Sequence, residues 1–404
     1  MISTSDMLTA SLWSGMCQVW AILLWMQWRV RRDGTLLSPS DAPPQPAGER
    51  VCVLIPARNE QCGIAGCVGS VLMQDVAGLG VTVVDDRSSD GTRDAVRTLM
   101  QQDERLQLRE IDHLPSGWMG KTHALSVAGE AIDSDWVLFL DADCRLLDPR
   151  ALRSAIGEAR RRGADLLTLL PSLETRTFGE ALIIPLCSAV MALWFGLSNR
   201  PSRRGFANGQ FLLVRREAYQ SIGGHAAVRD ALIEDVPLAE AFRSAGRVTW
   251  TGGGRAIVSV RMYDGFAATF RGWSRIFVGA LRSPLKLFLS IAWLIAGSML
   301  PFAAVAWLLG SAASATSVSP TWWLMFSLAA GHLLLLGLVS FYFWDLGRCD
   351  RRYLLVYPLS VFAVIAILAH AFYTLTLRRK VGWRETSYRL DRHARIVPST
   401  GAPA

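Results

Sequence analysis

Charge is scarce in this sequence. Asp, Glu, Lys and Arg make up 19% of its 404 residues, against about 25% in an ordinary soluble domain. With 51% hydrophobic residues, part of the chain must face lipid or be unusually apolar. The seven Cys are odd in number and contain no C-x-x-C pair, which argues against a disulfide framework and a structural zinc site. They read as small apolar core residues of a reducing compartment. Zinc-finger spacing and aromatic RNA-binding signatures are missing too. The net charge of +8, carried almost wholly by Arg, therefore predicts an anionic membrane surface as partner and no nucleic acid. There is no internal repeat.

The apolar residues are gathered into long runs. Residues 8–28 carry no charge and are long enough to span a bilayer. Positive charge follows this run, at Arg29, Arg31 and Arg32, where a cleaved leader would have it in front. Residues 1–30 thus read as an uncleaved anchor with the following side cytoplasmic. Residues 31–49, rich in Pro, Ser and Asp, read as a linker. Near the other end, 285–310, 321–344 and 353–377 read as three transmembrane segments within 284–377. Arg348, Arg351 and Arg352 lie in the last connector, and 378–404 reads as a basic, cytoplasmic or exposed tail. If all three runs cross, that tail ends outside, against the positive-inside tendency. Either one run is re-entrant or the tail breaks the tendency.

Residues 50–283 read as one α/β domain. Short buried-type strands at 51–55, 80–84 and 136–140 alternate with helices at 64–74 and 90–100, which predicts a mainly parallel sheet covered on both faces. In such sheets ligands bind beyond the carboxyl ends of the strands, and the polar motifs fall there. The first strand runs into Pro56-Ala57-Arg58-Asn59-Glu60. The second ends in Asp85-Asp86, whose carboxylates can accept hydrogen bonds from a ribose or base; Asp90 reads as a helix cap. Gly117-Trp118-Met119-Gly120-Lys121-Thr122 lacks Walker A spacing, yet a Gly-flanked Lys opening a helix suits a diphosphate. The strand at 136–140 ends in Asp141-Ala142-Asp143. Side chains two apart on an extended segment point the same way, so both carboxylates can converge on one hard cation. Glu234-Asp235 offers a general base or an acidic pair at a helix N-terminus. Asn208-Gly209 allows close backbone approach to a ligand. Arg215 and Arg216 either bind headgroups or face solvent.

In this order the motifs resemble family 2 glycosyltransferases of the GT-A fold, over roughly residues 50–283. The likeness is greatest to membrane-anchored members that glycosylate lipids, such as ceramide glucosyltransferase and carotenoid- or hopanoid-associated enzymes. The resemblance implies a GT-A nucleotide-sugar-binding domain with transmembrane helices at both ends. It implies a nucleotide-sugar donor, a UDP-sugar, held by Pro56, Ala57, Arg58, Glu60, Asp86, Lys121, Asp141 and Ala142. Asp143, with Asp141 nearby, would hold Mg2+ or Mn2+. Asp235, with Glu234, would supply the base for a single inverting displacement onto a lipid acceptor. The expected location is a bacterial inner or cell membrane, with the catalytic domain cytoplasmic.

The chain departs from the family where many relatives carry Q/R-x-x-R-W. Here stands Arg271-Gly272-Trp273-Ser274-Arg275, nearer the G-W-S/T-K stretch of carotenoid-type members. Trp273 is expected to stack on a sugar or base and Arg275 to hold the diphosphate, unless both are interfacial residues. The departure also weakens a reading as a polysaccharide-chain synthase; a polyprenyl-phosphate acceptor stays open. The apolar run 181–197, broken by Pro185, is marginal for spanning. It is either an interfacial helix that admits the acceptor or a buried core helix.

Overall fold

The computed structural model describes residues 4–32, 36–196 and 206–398. Expectations for residues 33–35, 197 and 399–404 lie outside the described residues. Helix α1 (Thr4–Arg32) comes first. The α/β domain follows with β1 (Val51–Ala57), α2 (Ile64–Leu72), β2 (Leu79–Asp86), α3 (Thr92–Met100), β3 (Leu106–Ile111), α4 (Gly120–Gly129) and β4 (Trp136–Leu140). It continues through β5 (Cys144–Leu146), α5 (Ala151–Arg161), β6 (Leu166–Leu170), β7 (Ser172–Leu173), α6 (Phe178–Phe195), β8 (Phe211–Arg215) and α7 (Arg216–Ser221). Helix α8 (Asp235–Ser244), β9 (Thr249–Gly253), β10 (Val258–Val260) and α9 (Gly265–Leu281) complete it. Apolar helices α10 (Pro284–Trp293), α11 (Leu300–Ala313), α12 (Pro320–Leu346) and α13 (Tyr357–Tyr373) come next, then strands β11 (Lys380–Trp383), β12 (Thr386–Leu390) and β13 (Ile396–Val397).

The central sheet has seven strands in the order β3-β2-β1-β4-β8-β6-β9. Only β8 runs antiparallel to its neighbours, so the sheet is mainly parallel. Strands β1 and β4 are near-continuous runs of Val, Leu, Ile and Phe, as burial on both faces requires. Register makes the crevice. Pairing of β1 with β4 stops at Leu54 and Phe139, while pairing with β2 continues to Ala57 and Asp85. Pro56 therefore stands where β1 has already lost one neighbour, which spares the ladder its missing N–H. That parting lies at the topological switch point, where ligands enter open α/β sheets.

Helices α6, α9, α10 and α13 bury a second apolar core, which includes Ile183, Trp273, Phe277, Leu287 and Val361. Residues 181–196 are thus the body of a packed helix: 181–187 are buried, while Leu193 is exposed. A capping box between Thr177 and Glu180 starts this helix.

Two expectations are corrected here. The segment expected as a linker is fastened to the domain from Leu36 onward: Leu37 donates to the Gly253 carbonyl at 2.9 Å and Gln45 to that of Ala77 at 2.9 Å. The expected basic tail is a folded three-stranded antiparallel sheet from Lys380 to Val397. Its Val381, Tyr388, Leu390 and Ile396 belong to the second apolar core, while Lys380, Arg389 and Arg392 are exposed. Arg384 and Glu385 form its tight turn, both with positive φ, 44° and 66°.

Among the described residues, five helices are long and apolar enough to cross a membrane: Asp6–Arg29, Phe178–Phe195, Pro284–Ala313, Pro320–Leu346 and Arg351–Arg378. Helix α1 lies along α12, where Cys17 meets the Leu328 carbonyl, and Trp20 packs on Trp293 of α10. The far end of α12 returns to the domain: Leu173 donates to the Gly347 carbonyl at 2.9 Å, and Arg255 pairs with Asp345 at 3.2 Å.

Candidate active site

The strand ends are laced to one another by short-range polar contacts. Asn59 takes a left-handed φ of 54°, which Asn tolerates better than most residues. Its side-chain oxygen accepts from Ser89 N at 2.8 Å, and its own N–H donates to Ser88 Oγ at 3.0 Å. Asp85 is structural: it accepts from Arg93 Nε at 2.6 Å and Ser88 N at 3.1 Å. Asp90 accepts from Thr92 N and Gln61 N, as a cap does. Asp86 differs. It is 2% exposed, accepts from Arg87 Nε at 2.8 Å and lies 3.7 Å from Arg58. It also sits at the first residue of α4, where a Cβ on Gly120 would lie 2.2 Å from its Oδ2. Glycine is required there by contact.

Beyond β4, one ammonium joins two motifs distant in sequence. Lys121 Nζ lies 2.6 Å from Asp141 Oδ1 and 2.7 Å from Glu234 Oε1. Lys121, expected at the diphosphate, is thus engaged by two carboxylates. Asp235 opens α8; its Oδ1 accepts from Val236 N at 2.7 Å and its Oδ2 from Gly209 N at 2.9 Å. Asn208 is fixed beside it by reciprocal hydrogen bonds with Gln210. Ala142 is buried between Asp141 and Asp143.

Burial sets the protonation of this cluster. It pushes Asp143 up to about 8, with the charges of Asp141 and Glu60 adding to it. Glu60 is pushed up to about 7 by burial, against the pull of Arg384. Asp235 is pushed up to about 7 by burial and by neighbouring Glu234. Burial also raises Asp141, although Lys121 pulls the other way. At Glu234 burial opposes the charge, but Lys121 wins and holds the carboxyl below its ordinary value. Among the described residues, Asp143 pairs with no Lys or Arg side chain; its Oδ1 accepts only a weak Cys144 thiol contact at 3.6 Å. No group of three or more His, Cys, Asp or Glu converges on one point among them. A cation here would take Asp143 as its protein anchor and complete its shell with ligand oxygens and water, as Mg2+ and Mn2+ readily do. The residues fit such an ion.

Arg275 points toward this acidic cluster, its guanidinium 5.1 Å from the centre of the Trp383 ring and bonded to Tyr263. Tyr263 reaches it across the bare surface of Gly272, where any Cβ would collide with its ring. Trp273, expected to stack on a sugar or base, is instead 5% exposed in the helical core against Phe277. Two residues along a helix turn by about 200°, so Trp273 and Arg275 cannot face the same site. Arg215 covers the Trp136 ring at 4.6 Å. The motif reading missed Trp383, Arg384 and Tyr388, all on the C-terminal sheet. Only the alternation of apolar residues at 381, 388 and 390 could have revealed them.

Residues 52–172 match the family model "Glycosyl transferase family 2". The chain is similar to the 4,4'-diaponeurosporenoate glycosyltransferase of Staphylococcus aureus (strain USA300), at 28% identity over 267 residues. That match covers 65% of this chain and 66% of the relative, just under two thirds of its length. Among solved structures, it is similar to the mannosyltransferase PcManGT from Pyrobaculum calidifontis, in complex with GDP-Man and Mn2+. The TM-score is 0.50 at 16% identity, covering 91% of this chain and 98% of that one; this is a likeness of fold. The matched sequence, the sheet order and the strand-end motifs agree: residues 52–172 carry the family 2 glycosyltransferase match, and the sheet built on them has the GT-A fold.

Proposed function

We propose that the protein transfers a sugar from a nucleoside-diphosphate sugar, a UDP-sugar, to a hydroxyl group of a membrane lipid, with inversion. The observation that carries this reading is the Lys121 ammonium at the carboxyl end of the sheet, which joins Asp141 to Glu234 and so brings together the acidic pairs that contain Asp143 and Asp235. Asp86 and Arg58 hold the nucleotide. Mg2+ or Mn2+ bound at Asp143, beside Asp141, would neutralise charge gathering on the departing diphosphate. Asp235 takes the acceptor proton as the acceptor oxygen bonds to the anomeric carbon. The bond to the donor phosphate oxygen breaks, and its electron pair leaves with the diphosphate. Lys121 fixes Glu234, and Gly209 N–H fixes Asp235, so the base is oriented before the acceptor arrives.

The lipid acceptor rests on the helical layer and on the Staphylococcus relative, which is named for 4,4'-diaponeurosporenoate. We read α1, α10–α11 and α12 as membrane-spanning. Helix α13 is different, because both of its ends meet the domain. The segment that leads into it starts at Gly347, whose carbonyl accepts from Leu173, and its other end leads into the C-terminal sheet. A helix held at both ends on one side does not cross. Leu359, Phe362 and Tyr373 on it, and Leu355 and Leu377 just beyond its ends, are exposed and apolar, and Arg348 to Arg352 and Arg378 to Lys380 flank the segment. Such a helix lies in the bilayer interface with its cations at the headgroups. The tail then ends on the cytoplasmic side, in accord with the positive-inside tendency.

Lipid extraction and mass spectrometry of cells with and without the gene test this reading. A lipid lacking one sugar mass in the deleted strain supports it. An unchanged lipid profile together with loss of a soluble glycoside contradicts it.

A further inference from the structure

The C-terminal sheet touches the donor side of the site at several separate places. Arg58 Nη1 donates to Thr386 Oγ1 at 3.0 Å, and Arg384 Nη1 donates to the Asn59 carbonyl at 2.9 Å. Arg384 also pairs with Glu60, and Tyr388 Oη accepts from Gly120 N. On the acceptor-side loop, Ile396 N donates to the Asp230 carbonyl at 2.8 Å. The sheet therefore caps the end of β1 and the start of α4.

A nucleoside diphosphate brings negative charge to a cleft already rich in carboxylates, so it needs cations that are free to face it. Most nearby cations are committed. Lys121 is held by Asp141 and Glu234, Arg87 by Asp86, and Arg93 by Asp85 and Glu110. Arg384 is paired as well, with Glu60 and the Asn59 carbonyl, but from a more open position than these. Its side chain is 36% exposed and its partners belong to the loop that ends β1, where ligands enter. The next residue back, Trp383, carries the guanidinium of Arg275 from α9 on its ring, so the hairpin turn stands beside a second cation. The turn itself is built against local preference. Two-residue hairpin turns with positive φ at both positions favour Asn-Gly, and this one uses Arg384-Glu385. Bulky residues persist in such conformations where the surroundings hold them, often at ligand clamps.

We propose that Arg384 is a ligand of the donor diphosphate, delivered by the C-terminal sheet. In the absence of donor, Glu60 and the Asn59 carbonyl hold its guanidinium in place. With donor present the planar fork turns onto phosphate oxygens, a geometry Arg serves better than Lys. Residues 380–390 are then a wall of the donor site. The inference rests on the nucleotide-sugar reading above.

The test is calorimetric binding of UDP and of GDP, with Mn2+, to the full-length protein in detergent. Uridine serves as a phosphate-free probe. Arg384→Ala and Arg384→Gln are expected to weaken nucleoside-diphosphate binding roughly 10- to 100-fold, as loss of a charged hydrogen bond does. Arg384→Lys is expected to recover part of the affinity, and uridine binding is expected to stay unchanged. Arg389→Ala, on the outward face of the same sheet, is expected to bind like the wild type, and melting temperatures show whether each variant is folded. Wild-type affinity in folded Arg384→Gln overturns the role of Arg384 and leaves the glycosyltransferase reading standing. A wild-type protein that binds neither nucleotide overturns both.

Discussion

The backbone N–H of Gly209 donates to Asp235 Oδ2 at 2.9 Å, joining the loop before β8 to the first residue of α8. The contact is close on every side. A Cβ on Gly209 would lie 3.2 Å from Glu234 Oε1, 3.3 Å from Lys121 Nζ and 3.4 Å from the Asp235 Cβ. Gly209→Ala must push the loop back by a few tenths of an ångström and loosen the hold on the base. We expect kcat to fall about 10-fold, since small misplacements of reacting groups are costly, while the melting temperature barely moves. Steady-state kinetics beside thermal unfolding checks this.

Lys121 is the second joint of the site. Lys121→Met leaves Asp141 and Glu234 facing each other without their cation. Breaking a buried ion pair from one side costs roughly 3–5 kcal/mol; because Lys121 is partly exposed, we expect the lower end. Lys121→Met with Glu234→Gln should restore part of that stability and none of the activity. Chemical denaturation of the single and double variants gives the comparison.

How much of this was legible in the sequence depended on the kind of signal. Strands β1, β2 and β4 are unbroken apolar runs ending abruptly in polar residues, so both the sheet and the acids at its edge could be read. Convergence of Asp141 with Glu234 could not be read, because it depends on Lys121 spanning two loops. The C-terminal sheet was hidden by composition. Arg378, Arg379, Lys380, Arg384, Arg389, Arg392 and Arg395 mask the period-two placement of Val381 and Trp383 on β11 and of Tyr388 and Leu390 on β12. Trp273 was misassigned because its motif was read as a string; on α9 it faces away from Arg275.

The pH dependence has a definite sign. Burial and Glu234 push Asp235 up to about 7, and the base works only when deprotonated. Activity should therefore fall as pH drops through about 7 in the free enzyme. A profile of kcat/KM against pH checks this. Stability has a separate acid limb at His225, whose ring lies 2.8 Å from Tyr219 Oη. Burial lowers its pKa from 6.5 to about 4. Between those values the unfolded chain binds a proton that the folded chain refuses, so stability is full above 6.5 and is lost as pH falls toward 4. His225→Gln should flatten the melting temperature over that window.

Metal dependence should localise to one side chain. Adding Mn2+ is expected to raise the melting temperature of the wild type by mass action, and a chelator should abolish transfer. Asp143→Asn should lose both the metal-induced rise and the activity while remaining folded, since Asp143 pairs with no cation among the described residues. A metal-induced rise that survives in Asp143→Asn would place the ion elsewhere.

The proposed sugar transfer onto a lipid, with Asp235 as base, requires a lipid product that depends on that carboxylate. The most direct measurement uses purified protein, a UDP-sugar, Mn2+ and membrane lipid extract, with lipid-linked sugar detected by mass spectrometry. The wild type is expected to give a lipid product and folded Asp235→Asn none, because its carboxamide cannot accept the acceptor proton. Equal product from Asp235→Asn, or sugar found only in water-soluble form, would contradict it.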